Sequence, residues 1–426
     1  MTIVIMLLTV LLLLAIGVPI AFALGITAVI FLLLLTDLPL SMMIQQLYLG
    51  INSFPLLAIP LFILAGSLMN SGGMSVRLIN FALSIIGTVK GGLAYVNVLT
   101  SVFFGAITGT AAAASAAVGQ IMIPAMIEKK YDRGFAAATT SAGSTLGILI
   151  PPSVPMILYG SIAGISVADL FITGIFIGLA VAVGYVIAAY FMTKNQNYEM
   201  EAQQFSFKLV FEKFIAAIPA LLIPVIIMGG IMTGIVTPTE SAAIAVLVGI
   251  IVGFIYKELT IKKLFQSLID SVKNTALVMF IVATATILGF SFSVLGIGQQ
   301  MIEPFMQFAD NPIIIMFMAS FILLIGGFIF DGTVMVVVLV PLFLPIVAAT
   351  SIDPIQFAMI VIIVWGIGQQ TPPVASGLYI TTAIAKVSML NASKYNIWYI
   401  LVLVIALIAM IFIPDIMLYL PRQIIE

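Results

Sequence analysis

Hydrophobic residues occur in runs along the whole chain, and most of these runs are long enough to cross a lipid bilayer. A run of about 20 apolar residues is typical of a membrane-spanning helix, because a helix of that length covers a hydrocarbon core about 30 Å thick. No strand-like alternation of apolar and polar positions accompanies the runs. The pattern therefore predicts an all-α integral membrane protein.

Four apolar segments are interrupted near their middle. Two contain a Gly/Thr turn between short arms, at 92–127 and 312–348, and two contain adjacent prolines, at 134–168 and 355–384. Arms of about 15 residues would be about 22 Å long, which is too short to cross the hydrocarbon core. We therefore expect the first pair to form re-entrant helical hairpins and the second pair to form discontinuous helices, since proline breaks a helix.

The second half of the chain repeats the order of features in the first. Pro151-Pro152 corresponds to Pro372-Pro373, and the amphipathic segment 41–49 corresponds to 262–270. Two repeated halves, commonly with inverted topology, are a recurrent plan of secondary transporters. The alternative, chance similarity among many glycines and prolines, remains open. The predicted division is a first repeat over 1–193, a connector over 194–213 and a second repeat over 214–426.

Basic residues give conflicting evidence about orientation. Lys130 and its basic neighbours place the mouth of the first hairpin in the cytoplasm. An inverted second half would then place Lys263 on the outer side, against the same rule. Either 41–49 and 262–270 lie flat at the membrane interface, where amphipathic helices carry basic residues, or the halves are not inverted.

The breaks are predicted to be binding sites. Non-helical backbone at membrane depth is tolerated where it is buried in protein or lines a wet cavity. A broken helix frees carbonyl oxygens that suit Na⁺ and exposes half-helix N-termini that attract anions. We expect one Na⁺ between each hairpin turn and the neighbouring proline break, and a solute between the two turns. The alternative that the prolines only kink packed helices remains open.

Asp331 is the strongest single candidate, because it is isolated among apolar residues and charges inside membrane segments are functional by default. Its alternative role is to cap the second hairpin arm, and the two roles are compatible. The predicted ligands of the first Na⁺ are the carbonyls and hydroxyls around Thr108, Gly109, Thr110, Gly147 and Ser153. Those of the second are around Gly327, Asp331, Gly332, Thr333, Gly368 and Thr371.

Composition narrows the functional classes. Of the 426 residues, 63% are hydrophobic and 7% are charged, the net charge is -1, and there is no Cys or His. Thiol chemistry, imidazole bases and the usual zinc or haem ligands are thereby excluded. We expect no enzymatic activity, no organic cofactor and no nucleic-acid partner. A channel is disfavoured because few charged or amide residues are expected at depth.

Four motifs resemble those of the large membrane subunit of tripartite ATP-independent periplasmic (TRAP) transporters. One departure concerns the first turn, which usually reads Ser-Gly-Ser in that family and is Thr108-Gly109-Thr110 here. The motifs are IPLFILAGSLMNSGG at 59–73, GILIPPSVPMILYG at 147–160, GGFIFDGTVMVVVLVPLFLP at 326–345 and GQQTPPVASGLY at 368–379.

The resemblance implies an elevator-type, Na⁺-driven importer of organic acids in the bacterial inner membrane. It also implies two partners, a periplasmic binding protein and a small four-helix membrane subunit, the latter expected as a separate chain. The FDGTVMVVVLVPLFLP stretch looks most like sialic acid members, with C4-dicarboxylates or other carboxylates next. A Na⁺/dicarboxylate carrier that needs no binding protein is the alternative. Carried over by position, the sodium sites and solute contacts of the family point to Thr108, Thr110, Ser153, Asp331, Thr333 and Thr371, and all of these except Thr371 are predicted solute contacts.

Overall fold

The computed structural model describes residues 2–86, 89–196, 198, 206–308 and 310–425, and all regular structure in these ranges is helical. The first half contains α1 (Thr2–Ala15), α2 (Ile20–Leu35), α3 (Leu40–Ile51), a 3₁₀ turn (Phe54–Leu57), α4 (Ala58–Ser71), α5 (Met74–Ile86), α6 (Gly92–Thr108), α7 (Ala111–Glu128), α8 (Arg133–Leu149), α9 (Val154–Ala163) and α10 (Val167–Thr193). The second half contains α11 (Phe207–Met232), α12 (Pro238–Ile255), α13 (Ile261–Val294), α14 (Ile297–Met306), α15 (Pro312–Ile329), α16 (Gly332–Ala348), α17 (Pro354–Gln370), α18 (Ser376–Ala385), α19 (Met389–Phe412) and α20 (Pro414–Ile425).

The length and apolar surface of these helices fit a lipid environment. Within the described ranges, nine helical stretches are long and apolar enough to cross a membrane. Large apolar side chains such as Leu34, Phe191 and Leu390 are exposed on the outside of the molecule. Such surface is unfavourable in water and is covered by lipid in a bilayer, so the chain is a multi-pass membrane protein.

Two helical hairpins occupy the predicted positions. The first consists of α6 and α7, which meet at Gly109, a residue in the left-handed conformation (φ 63°) that favours glycine. The Thr110 side chain then caps α7 by accepting from the Ala113 N–H. The second hairpin consists of α15 and α16, which meet at Phe330 and Asp331.

Two broken helices follow the hairpins. The first is divided into α8 and α9 at Pro151-Pro152, and the second into α17 and α18 at Pro372-Pro373. Both proline–proline bonds are cis. The first pair of prolines is buried and the second pair is exposed, so the two breaks have different surroundings.

The hairpins and broken helices form one packed inner unit. α8 contacts both arms of the first hairpin, and α17 contacts both arms of the second. The second arm of each hairpin also contacts the other half, since α7 packs on α18 and α16 packs on α9. α10 and α19 pack on this unit as well, whereas α2 and α3 pack mainly on α13, and α4 packs mainly on α12 and α13.

Buried hydrogen bonds join two helices of the inner unit, α8 and α17, to α10 and α19. The Tyr185 hydroxyl of α10 lies 2.8 Å from the Thr145 hydroxyl of α8 and accepts from the Gln370 amide of α17 at 3.1 Å. The Asn396 amide of α19 donates to the Gln370 carbonyl at 2.8 Å. Because buried polar groups require partners, these bonds favour one relative position of the four helices.

Two segments differ from the sequence-based expectation. The segment 262–270 is the beginning of the continuous 34-residue helix α13, not a separate interfacial helix. α11 begins at Phe207, inside the segment assigned to the connector, because the Ser206 side chain caps it there by accepting from the Leu209 N–H. Eight of the 20 connector residues, 197 and 199–205, lie outside the described residues.

Candidate functional site

A cavity of about 510 Å³ lies between the tips of the two hairpins. The first hairpin contributes Thr108 and Thr110 to its lining, and the second contributes Asp331 and Thr333. The remaining walls come from α4, α7, α13, α17, the end of α8 and the beginnings of α9 and α18. Four of the residues predicted from the sequence are therefore gathered around one space, although the two tips are far apart along the chain.

The hydroxyl groups of the first tip are held by the backbone of their own hairpin. Thr108 Oγ1 donates to the Phe104 carbonyl at 2.9 Å, and Thr110 Oγ1 accepts from the Ala113 N–H at 3.4 Å. Because Thr108 donates its proton within the protein, a lone pair of its oxygen is left for a ligand.

Asp331 is both a helix cap and a lining residue. Its Oδ1 accepts from the Thr333 N–H at 3.0 Å, which satisfies a free donor at the start of α16. Among the described residues that line the cavity, Asp331 is the only charged one. The cavity therefore has one carboxylate and no basic side chain to balance it.

The other predicted residues are not among those that line the cavity. Ser153 Oγ donates to the Ile148 carbonyl at 2.7 Å, and Thr371 Oγ1 donates to the Ile367 carbonyl at 2.7 Å. The predicted residues that do not line the cavity are Gly109, Gly147, Ser153, Gly327, Gly332, Gly368 and Thr371.

Glycines allow each hairpin to approach the neighbouring broken helix. A Cβ on Gly105 would lie 3.1 Å from the Cα of Gly147, and a Cβ on Gly368 would lie 3.1 Å from the Cα of Gly327. These separations are too short for a larger residue. In both halves a glycine pair therefore sets the spacing between the hairpin and the break.

Protein groups satisfy part of the backbone that the breaks release. The Gly109 carbonyl accepts from the Val154 N–H at 3.1 Å, the Ile148 carbonyl accepts from Ser153, and the Gln370 carbonyl accepts from Asn396. The expectation that the breaks leave their carbonyls to a cation is therefore too simple at these three positions. A carbonyl oxygen has two lone pairs, so one hydrogen bond does not prevent it from binding a cation.

Sequence reasoning missed the amide and indole side chains of the cavity. Few amides were expected at depth, yet Asn70, Gln120, Asn274 and Gln369 all line this one space, together with Trp365. The sequence did contain a signal for these amides. They occur within otherwise apolar segments, where an unpaired amide is unfavourable.

Comparisons with known proteins agree with this architecture. The model of the family "Tripartite ATP-independent periplasmic transporter, DctM component" matches residues 7–416. A putative TRAP transporter large permease protein of Haemophilus influenzae is 36% identical over 88% of this chain and 93% of its own length. The sialic acid TRAP transporter large permease protein SiaM of Vibrio cholerae is 33% identical, over 95% of each chain.

Two further comparisons concern chain length and fold. The isethionate TRAP transporter permease protein DctMQ of Oleidesulfovibrio alaskensis is 34% identical over 95% of this chain, which covers 64% of that protein. The solved structure of MtrF from Neisseria gonorrhoeae has a TM-score of 0.64 at 13% identity, covering 88% of this chain and 84% of MtrF. That likeness concerns the fold alone.

Proposed function

Because the chain belongs to the DctM component family of the tripartite ATP-independent periplasmic transporters, we propose that it is the large permease subunit of a Na⁺-driven importer of an organic acid. The observation that carries the proposal is the cavity between the two hairpin tips, because it collects polar groups from widely separated parts of an apolar chain. This family consists of transporter permeases and not of enzymes.

The oxygen atoms around the two tips are chemically suited to Na⁺. The hydroxyls of Thr108, Ser153 and Thr371 each donate to a carbonyl of their own helix, which leaves their lone pairs as neutral, hard ligands. Asp331 adds one anionic oxygen donor in the second half. Bound Na⁺ would supply positive charge beside Asp331, so an anionic solute could enter a cavity that has no basic side chain.

The proposed solute is an organic acid, with sialic acid first and a C4-dicarboxylate or another carboxylate next. Relatives of the chain are named for sialic acid, isethionate and C4-dicarboxylates. A cavity of about 510 Å³ is in the usual range for sites that enclose small molecules. Thr108, Thr110, Asp331 and Thr333 are the proposed contacts that line this space, and Ser153 is a proposed contact outside its lining.

We propose that the two halves are inverted repeats and that the transport cycle is an elevator movement. Support for repetition comes from corresponding caps: Asp132 caps α8 and Asp353 caps α17, each accepting from two backbone N–H groups. The glycine pairs between hairpin and break are a second correspondence. The mobile unit would comprise both hairpins and both broken helices, with α10 and α19 added because they are hydrogen-bonded to it. The scaffold would be the remaining helices.

The proposed partners are a small four-helix membrane subunit and a periplasmic binding protein that delivers the solute. The support is family membership, since relatives include a permease named DctMQ that is longer than this chain. The corresponding location is the bacterial inner membrane.

Uptake by proteoliposomes that contain this chain and a co-encoded small subunit tests the proposal. We expect accumulation of a labelled organic acid only with an inward Na⁺ gradient and the cognate binding protein. Substituting K⁺ for Na⁺ on both sides should abolish accumulation. Uptake that is equally fast without the binding protein would instead favour the carrier that works alone, and uptake independent of Na⁺ would overturn the coupling.

A further inference from the structure

One wall of the cavity contains polar atoms that have no hydrogen-bond partner in the protein. Trp365 Nε1, Gln369 Oε1 and Ser376 Oγ are all buried and unpaired, and all three residues line the cavity. Trp365 is only 4% exposed and Gln369 only 7%. Since buried polar groups are normally hydrogen-bonded, these unpaired atoms leave this wall able to bind polar groups of a ligand.

The two main residues of this wall share one face of α17. Trp365 and Gln369 are four residues apart, so their side chains lie one above the other on the helix. The absence of a side chain at Gly332 makes room for the indole, because a Cβ there would overlap the Trp365 ring at Nε1. The indole N–H is thereby placed directly against the tip that carries Asp331.

The polar groups of this wall and of the adjacent hairpin tip differ in hydrogen-bonding type. The Trp365 indole can only donate, the Gln369 Oε1 can only accept, and the Asp331 carboxylate only accepts. Rotating the Gln369 amide would exchange its oxygen and nitrogen, but the Asp331 carboxylate would remain as an acceptor. A carboxylate of the solute could accept from the indole but could not satisfy the acceptors. A hydroxyl group both donates and accepts, so it can satisfy both kinds.

We propose that Trp365, Gln369 and Asp331 form a subsite for a hydroxyl group of the solute, so that the protein selects hydroxylated organic acids over their deoxy analogues. This inference rests on the proposed function, because it requires that an organic acid binds in this cavity. Selection follows because a deoxy analogue would fill the same space and leave the wall unpaired.

Tryptophan fluorescence provides a direct test, because the chain contains only two tryptophans, Trp365 and Trp398. Trp398 is 54% exposed on the outer surface of α19, so Trp398→Phe leaves Trp365 as the only tryptophan in the full chain. In lipid nanodiscs with Na⁺, titration with matched pairs, L-malate with succinate and isethionate with ethanesulfonate, should perturb Trp365 emission. At least one hydroxylated acid should bind about tenfold or more tightly than its partner.

Variants assign the selectivity to the wall. Trp365→Phe removes the donor while keeping an aromatic ring, and Gln369→Met removes the amide at similar length. Calorimetric titration should show the ratio of affinities within the selected pair falling to about threefold or less in each variant, while Trp398→Phe keeps it. If Trp365→Phe does not fold, Gln369→Met alone decides the question.

Two failures can be told apart. Equal binding within both pairs, or a ratio that persists in Gln369→Met, would overturn the hydroxyl subsite and leave the proposed function standing. If no organic acid perturbs Trp365 and none is taken up with the binding protein, the proposed function itself fails and the subsite with it.

Discussion

At the scale of single residues, corresponding positions perform the same local task with different charge. Thr110 caps the second arm of the first hairpin, and Asp331 caps the second arm of the other. Either side chain satisfies a backbone donor, but only Asp331 brings a negative charge to the cavity. The two hairpin tips are therefore unequal in electrostatics, whatever symmetry their backbones have.

Asp331→Asn separates capping from charge. An Asn side chain can still accept from the Thr333 N–H, so we expect the thermal stability of the purified chain to change little. Loss of Asp331, the only charged side chain among the described lining residues, should lower Na⁺-driven uptake at least tenfold. The control is Asp37→Asn in an exposed loop, which should transport normally. Wild-type uptake by Asp331→Asn would remove Asp331 from the site.

Tyr185→Phe tests the buried hydrogen bonds of the inner unit. The hydroxyl contacts both Thr145 and Gln370, so its removal deletes two buried hydrogen bonds and should destabilise the chain by about 1–3 kcal/mol. Tyr190→Phe, on an exposed position of the same helix, should have almost no effect. Denaturation midpoints of the two variants measure the difference, and equal midpoints would show that the network contributes little.

At the scale of elements, close packing of glycines holds each hairpin against a broken helix. The contacts are between backbones, so there is no flexible side chain that could move away. Because the cavity lies at the hairpin tips, the distance between hairpin and break decides where Asp331 and the indole are. Small changes at the glycine pairs should therefore affect both stability and transport.

Gly368→Ala tests this spacing. The new Cβ would lie 2.8 Å from the Gly327 carbonyl oxygen, so α15 and α17 must separate, at a cost of about 1–3 kcal/mol. Gly229→Ala is the matched control, since a Cβ there meets nothing within 4 Å and the helix should become slightly more stable. Melting temperatures should shift in opposite directions. A Gly368→Ala chain that is as stable as wild type would contradict close packing at this pair.

At the scale of the whole molecule, the orientation of the two halves is the main prediction. The continuous helix α13 begins near Lys263, so that end of the helix must be on one side of the membrane with its basic residues. Inversion places this end opposite to the turn between α7 and α8. The chain has no native Cys, which makes single introduced thiols easy to assign.

Single cysteines at Lys130 and Lys263 distinguish the two topologies. With inverted halves, we expect a membrane-impermeant thiol reagent applied to intact cells to label Lys263→Cys and not Lys130→Cys, and permeabilised cells to be labelled at both. The Cys-free chain is the control for labelling at other sites. Adding the thiol reagent before or after permeabilisation is the control for access. Labelling of both sites from the same side would exclude inversion.

The sequence alone determined the features that depend on local chemistry. The apolar runs indicated a membrane protein, and the paired prolines located the interruptions at Pro151-Pro152 and Pro372-Pro373, because proline cannot donate the bond that continues a helix. Gly109 and Asp331 marked the hairpin tips for similar reasons, since one allows a left-handed turn and the other caps a helix. Each of these effects involves only a few neighbouring residues.

Which of these groups share a cavity depends on packing between segments that are distant in the sequence. Trp365 and Gln369 belong to an apolar helix in the sequence, and only the packing leaves a polar atom of each without a partner, with the indole lying where Gly332 has no side chain. Likewise, the Gln370 carbonyl is released by a local break but is satisfied by Asn396 on another helix. Local propensity determines where a helix ends, but packing between distant segments determines what the freed groups meet.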